Sequence, residues 1–287
     1  MRLTRYLTAP EFRAQAEAFL VQHEAEHNLM LGLMTSLAFK PDLYPSQPYF
    51  AVVTDAGRVS AAALMTPPHG LAVSYAASPE ALRLIVADVA AFRPETPSVI
   101  GPAGAARLCA ELWQAQTGQG FRRQMAERIY RLERVIAPAP VSGQPRRVEA
   151  GDQSLLLSWL AAFQITAFGR ADAGAVTRTV HNMLTLPPEY RSTFVWEDPY
   201  PVALVSCGGP TPHSRRVGPV YTPPEFRRRG YASALTAAVS QYILDQGCRV
   251  ATLFTDLANP TSNKIYQAIG YEAVCDADQY EFTAADR

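Results

Sequence analysis

The stretch best suited to chemistry lies in the last third of the chain, where Thr222-Pro223-Pro224 leads to Arg227, Arg228, Arg229 and Gly230. An apolar strand-like run precedes it, and apolar residues at helical spacing follow it. Glycine lets the backbone approach a ligand closely, and the first N–H groups of a helix have no partner within that helix. Diphosphate oxygens bind well there, and the arginines add positive charge. The stretch predicts a diphosphate-binding loop, although a solvated charge run before an ordinary helix has the same residues.

A second candidate stretch runs from Asn259 to Gly270. Asn259 suits a helix N-cap, Pro260 suits the first helical position, and Gly270 suits the end of the helix. A short helix is therefore expected, with Asn263 and Tyr266 on one part of its surface. A half-buried packing role is the commoner fate of a lone tyrosine such as Tyr266.

Together these two motifs resemble those of a known family. The pattern Arg-x-x-Gly-x-Ala at Arg227, Gly230 and Ala232 resembles the pyrophosphate loop of the GNAT N-acyltransferase superfamily, which binds acetyl-CoA. The family's second motif has an Asn that bonds the CoA arm and a Tyr that faces the thioester sulfur, and Asn259 and Tyr266 stand at that spacing. The resemblance covers residues 146–282 and implies an acetyl-CoA-dependent N-acetyltransferase. The residues it implies for cofactor binding are Val220, Tyr221, Arg227, Arg228, Arg229, Gly230, Tyr231, Ala232, Asn259 and Asn263.

The resemblance also implies a mechanism in which an amine attacks the thioester carbonyl directly. The N–H of Val220 or Tyr221 would polarise that carbonyl, as an oxyanion donor does. Tyr266 would be the catalytic residue and would protonate the departing thiolate.

The general base is left open by the sequence. Many relatives have a glutamate on the strand before the loop, but residues 201–208 contain no carboxylate. Glu225, Glu197 or an ordered water could serve. Cys207, in the same run, is interpreted as a small core residue and not as a nucleophile.

The elements that must position these residues form two similar halves. Periodicity predicts alternating helices and strands on both sides of a proline-rich segment, residues 137–145. We therefore expect an α+β fold with a mixed, mostly antiparallel central sheet flanked by helices, GNAT-like in each of two similar domains. The predicted domains are a degenerate copy over 1–136, a linker over 137–145 and a catalytic domain over 146–287.

Element boundaries can be predicted most fully in the second half. Helices are expected over 153–168 and 176–184, and the last strand over 272–282. In the first half, the turn Ile100–Gly104 is expected where a pyrophosphate loop would lie. It lacks the arginine and glycine pattern, so no complete CoA site is predicted there.

Two alternatives come from other functional classes. His23, Glu24 and His27 satisfy H-E-x-x-H, which on one helix would give a zinc hydrolase, but no third ligand follows at a useful spacing. A polar helix face is the preferred interpretation, and no metal site is predicted. The other alternative is a CoA-binding regulatory module without acyl transfer.

The acceptor is not identified by the sequence beyond a small-molecule amine or a protein amine. The residues that select the acceptor are predicted to lie around the first two helices of the second half. Phe163, Phe168 and His181 could line the entrance to the site there, opposite the cofactor. Each of these is otherwise an ordinary core or surface residue.

Composition excludes several partners and compartments. The 287 residues contain 26 Lys plus Arg and 26 Asp plus Glu, so no nucleic-acid partner is expected. The longest uncharged stretch, Val59 to Pro79, is broken by prolines, which predicts no membrane span. Residues 1–12 do not form a signal peptide, and the four cysteines have no C-x-x-C spacing, so a cytoplasmic protein is expected. The oligomeric state stays open.

Overall fold

The computed structural model describes residues 1–284 and contains two compact units. Unit 1 comprises Met1–Tyr130, Thr255–Asn259 and the chain from Ala273 onward, and unit 2 comprises Arg131–Phe254 and Pro260–Glu272. Neither unit is a continuous stretch of sequence. The domain limits predicted from the sequence, with their boundary at residues 137–145, stay a prediction.

Unit 1 begins with a strand and two helices and continues with alternating strands and helices. Its elements are β1 Arg2–Tyr6, α1 Ala9–Leu20, α2 Asn28–Phe39, β2 Tyr49–Asp55, β3 Arg58–Met65, β4 Leu71–Val73, α3 Pro79–Phe92, β5 Ser98–Pro102, α4 Ala103–Thr117 and β6 Gly120–Leu132. Helix α1, which the sequence reading missed, starts with a capping box between Thr8 and Glu11.

The rest of the chain repeats this order of elements. Unit 2 contains β7 Gln144–Arg147, α5 Gln153–Phe168, α6 Ala173–Thr185, β8 Arg191–Glu197, β9 Pro201–Gly208, β10 Ser214–Tyr221, α7 Tyr231–Asp245, β11 Val250–Asp256 and α8 Pro260–Ala268. The last strand of the repeated order is β12 Glu272–Thr283, which from Ala273 onward belongs to unit 1. Strand β7 takes in Gln144 and Pro145, which the sequence placed in the linker. The predicted fold class, a mostly antiparallel mixed sheet flanked by helices in two similar domains, is confirmed.

Each unit contains a parallel strand pair whose two strands are connected by a helix. In unit 2 the strand order is β11-β10-β9-β8-β7, and only β10–β11 is parallel, with α7 as the crossover. In unit 1 the order is β1-β2-β3-β4-β5-β12-β6, and β4–β5 is parallel, with α3 as the crossover. Strand β12 follows α8 in the chain but pairs antiparallel with β5, at Tyr280–Val99 for example. This pairing is why the C-terminal strand belongs to unit 1.

The helices of unit 2 lie on both faces of its strands. Phe194 and Val195 are consecutive on β8, so their side chains point to opposite faces. The Phe194 ring contacts Tyr242 of α7, with centroids 5.1 Å apart, whereas Val195 packs in the apolar cluster of α5 and α6. Helix α7 is therefore on one face, and α5 and α6 are on the other.

Candidate functional site

The candidate site of unit 2 begins where β10 leaves β11. The paired register runs from Ser214–Val250 to Val217–Leu253, whereas β10 continues to Tyr221. On its other edge, β10 has an irregularity between Val217 and Val220 in its pairing with β9. The two parallel strands therefore separate beyond Val217, and Val220 and Tyr221 lie on the part of β10 beyond that point.

The loop after β10 leads directly to the N-terminus of α7. The Arg227 Nε donates to the Thr222 carbonyl at 3.0 Å, which closes the loop, and Arg228 has a positive φ of 63°. Gly230 is the N-cap residue, in a left-handed conformation with φ of 86° that favours glycine. No side chain caps this helix start. Its first N–H groups therefore remain available to an anion.

The three arginines come directly before Gly230, and all three are exposed. The Arg229 guanidinium lies over the Phe226 ring at 5.9 Å from its centroid. Exposed cations beside free helix N–H groups are the arrangement that a diphosphate requires. The structure thus brings together the predicted loop residues of β10 and α7.

The Tyr231 side chain anchors the start of α7. It is buried, and its hydroxyl donates to Asp198 Oδ2 at 2.6 Å. The Ser142 hydroxyl also bonds Asp198, and the two hydrogen bonds lower the pKa of that carboxyl. Asp198 and Ser142 thereby hold the first residue of α7, and sequence reasoning missed both because their partners are distant in the chain.

The segment before β7 also packs against the loop. A Cβ added to Gly230 would lie 2.8 Å from Val141 Cγ1, and the Ser142 carbonyl accepts from Trp196 Nε1 at 2.7 Å. Glycine at position 230 is therefore required both by its φ and by a close neighbour.

The second motif forms the predicted short helix, α8. Tyr266 is 7% exposed, and burial raises its pKa to about 12, with a hydrogen bond from Ser262 acting in the opposite direction. Its ring contacts the Tyr271 ring edge-on at 6.1 Å. Asn259 is exposed just before α8, and Asn263 is half-buried within it. The phenol is therefore protonated at neutral pH, as a proton donor must be.

The candidate bases differ in their surroundings. Glu197 accepts from Arg146 Nε at 3.1 Å and is thereby ion-paired, whereas Glu225 is exposed on a short 3₁₀ turn. Cys207 is buried, and burial raises the pKa of its thiol, which agrees with a packing role.

The residues predicted around the acceptor entrance do not share one environment. Phe163 is half-buried and contacts Phe168, at 6.3 Å between ring centroids, and Phe168 is 49% exposed. His181 is exposed on α6. The two phenylalanines form an apolar end to α5, and their role in specificity stays a prediction.

The zinc alternative is wrong because the H-E-x-x-H residues do not lie on one helix. Helix α1 ends at Leu20, a 3₁₀ turn ends at His23, and α2 begins after His27. His27 is buried, its Nδ1 donates to the Leu20 carbonyl at 2.9 Å, and its Nε2 accepts from the Tyr75 N–H at 3.0 Å. Burial lowers the pKa of His27, so the ring is neutral with both nitrogens occupied. Within residues 1–284, no cluster of three or more His, Cys, Asp or Glu side chains could hold a metal.

The same contact involves the loop of unit 1 that corresponds to the loop between β10 and α7. By element order, the counterpart of the β10–α7 loop is residues 74–78 between β4 and α3, and the expectation that placed it at Ile100–Gly104 is wrong. The Ser74 N–H bonds the Ala62 carbonyl of β3, so the next N–H, that of Tyr75, points away from β3. His27 accepts this N–H. The group that could polarise a carbonyl in unit 1 is therefore already bonded.

Known proteins match part of this chain in sequence. Residues 211–282 match the family model described as FR47-like protein. Aminoglycoside N(6')-acetyltransferase type 1 of Salmonella typhimurium is 40% identical over 53 residues, 18% of this chain and 37% of that protein. The chain thus matches little more than a third of that relative's length.

Two solved structures resemble the whole chain. A GCN5-related N-acetyltransferase from Sphaerobacter thermophilus has a TM-score of 0.61 at 17% identity. The match covers 97% of this chain and 95% of that protein. A tandem GNAT protein from the clavulanic acid biosynthesis pathway has a TM-score of 0.55 at 14% identity. That match covers 100% of this chain and 99% of that protein. The predicted resemblance to tandem GNAT proteins is confirmed at the level of the fold.

Proposed function

We propose that this chain of the tandem GNAT fold is an acetyl-CoA-dependent N-acetyltransferase whose active site lies in unit 2. The observation that carries the proposal is the coincidence, at one end of β10, of the strand separation and the uncapped, arginine-rich start of α7. A diphosphate and a thioester belong to one molecule, acetyl-CoA, and the site offers a place for each.

In the proposed reaction, the N–H groups at the start of α7 and the exposed arginines bind the diphosphate of acetyl-CoA. The N–H of Val220 or Tyr221 polarises the thioester carbonyl. The amine nitrogen forms a bond to the acetyl carbon, the carbon–sulfur bond breaks, and the amine gives up its proton to solvent. Tyr266 donates a hydrogen bond to the departing thiolate. Asn259 and Asn263 contribute to holding the cofactor arm.

A small-molecule primary amine is the acceptor we propose. Support comes from the curated relatives, which are named as aminoglycoside acetyltransferases. Within residues 1–284, no helix is both long and apolar enough to cross a bilayer. The cytoplasmic location predicted from the sequence stays a prediction.

The proposal is tested by acetyl-CoA binding and by acetyl transfer. At a hundredfold excess over its dissociation constant, a ligand of the native state stabilises it by about 2.7 kcal/mol, which raises Tm by several degrees. We expect Gly230→Asp to abolish this shift because a side chain and a negative charge occupy the diphosphate position. Gly247→Asp is the matched control, since Gly247 has φ of 87° at the other end of α7 and no atom within 4 Å of an added Cβ.

Two outcomes would contradict the proposal. If Gly230→Asp and Gly247→Asp respond to acetyl-CoA as the unmodified protein does, the loop assignment is wrong. If acetyl-CoA binds but no amine is acetylated, the chain is a CoA-binding regulatory module.

A further inference from the structure

The helix beside the reaction centre is unusual in having no charge. Helix α5, Gln153–Phe168, contains no Asp, Glu, Lys or Arg in its 16 residues. Its last turn exposes large apolar side chains, with Ile165 56% and Phe168 49% exposed. Exposed apolar side chains that cluster mark a surface that binds something apolar.

Apolar side chains of α5 link this surface to the proposed site, because Phe168 contacts Phe163 and Phe163 lies one helical turn after Trp159. The Trp159 ring of α5 contacts the Tyr221 ring, with centroids 6.0 Å apart, and Tyr221 ends the strand that separates from β11. Helices α5 and α7 lie on opposite faces of the unit 2 strands. Because the start of α7 is assigned to the CoA diphosphate, the face that carries α5 is left for the acceptor.

The charges that α5, α6 and the turn between them contribute do not favour a cation. In the part of the chain from 153 to 185, the charged residues are Arg170, Asp172 and Arg178. Two of the three are positive. The Asp172 carboxylate caps α6 by accepting the Ala175 N–H at 3.0 Å. These two helices therefore offer a polycationic amine no excess of carboxylates, whereas an apolar body would meet phenylalanine and isoleucine.

We infer that the acceptor is a primary amine carried on an apolar body, aromatic or branched alkyl, which packs on Phe163, Ile165 and Phe168. This inference rests on the proposed transferase activity and names the substrate class of the same site. It sets this chain apart from enzymes that recognise polycationic acceptors through carboxylates.

The test compares acceptors and variants in the full chain with acetyl-CoA saturating. Initial rates of CoA release are measured with phenethylamine, methylamine and kanamycin as the apolar, minimal and polycationic acceptors. We expect the highest kcat/KM with phenethylamine. Phe168→Ser and Ile165→Ser should each raise KM for phenethylamine roughly tenfold by removing apolar contact, and should leave KM for methylamine unchanged.

Phe39→Ser is the matched control. Phe39 is the last residue of α2 as Phe168 is of α5, and it is 46% exposed in unit 1. It should leave every KM unchanged. All variants should keep the thermal shift given by acetyl-CoA, which shows that the cofactor site is intact.

Several results would overturn the inference. Kanamycin used as well as phenethylamine, or unchanged KM values in both α5 variants, would refute the acceptor class and leave the transferase activity standing. A dimer in sedimentation that Phe168→Ser dissociates, with no kinetic change, would assign the surface to a second copy. Acetyl-CoA binding without transfer to any amine would overturn the transferase itself.

Discussion

Replacing Tyr266 by phenylalanine tests the proposed proton donor most directly. The ring is buried and packs against Tyr271, so the substitution keeps the packing and removes the hydroxyl alone. The lost hydrogen bond to Ser262 costs folding about 1 kcal/mol. Any larger effect on turnover must then come from the chemistry.

The size of the effect follows from the pKa values of the donor and the leaving group. Burial raises the pKa of Tyr266 to about 12. An ordinary thiol has a pKa of about 8.5, so complete proton transfer to the thiolate is uphill by roughly 5 kcal/mol. Tyr266 therefore stabilises the thiolate by a hydrogen bond. One bond to a charged group is worth about 1.5–3 kcal/mol, which corresponds to a fall in kcat of roughly 10- to 100-fold.

The assay is CoA release with a saturating amine, with the KM for acetyl-CoA measured alongside. Tyr271→Phe is the matched control, because Tyr271 is also buried, its pKa is also raised by burial, and its hydroxyl bonds Ser240 at 2.8 Å. We expect that control to lose stability and to keep kcat. Near-normal turnover in Tyr266→Phe would refute the donor role and leave Tyr266 as a packing residue.

The same tyrosine gives an independent signature at high pH. Its folded pKa of about 12 lies above the ordinary value of 10.0, so its contribution to stability is complete below pH 10. That contribution, roughly 3 kcal/mol, is lost as pH rises from 10 to 12. Between pH 10 and 12, the free energy of unfolding measured with denaturant should fall less steeply with pH for Tyr266→Phe than for the unmodified protein. Parallel curves would show that the phenol is not buried as described.

Three further predictions follow from other contacts. Burial lowers the pKa of His27 from its ordinary 6.5, so the free energy of unfolding should fall as pH drops below 6.5. In denaturant titrations, the free energy of unfolding of His27→Gln should depend less steeply on pH. Asp198→Ala removes the acceptor of the Tyr231 hydroxyl at the start of α7, so KM for acetyl-CoA should rise several-fold while kcat is kept, and an unchanged KM would refute its positioning role. Burial raises the pKa of Cys109 to about 12 and also raises that of Cys207, so a thiol reagent at pH 8 should modify at most two of the four cysteines in the native protein and all four in urea.

Local signals in the sequence determined the elements of the site. Helix α5 was predicted at 153–168 and has those limits, because its apolar run stops at Gly169, whose φ is 75°. Pro260 begins α8, and Gly230 and the arginines mark the start of α7. These features depend on residues within a few positions of one another, and so spacing and residue type are enough to predict them.

The contacts between distant segments were decided only by the tertiary structure. Strand β12 pairs with β5, His27 bonds Tyr75, and Asp198 bonds Ser142 and Tyr231. Strand pairing has no sequence code beyond alternation, so any apolar strand is a possible partner until the helices and loops restrict the choice. A histidine's role depends on which groups its two nitrogens meet, and that is fixed only when the chain has packed. H-E-x-x-H therefore suggested zinc, whereas the folded chain uses the second histidine to bond a backbone N–H.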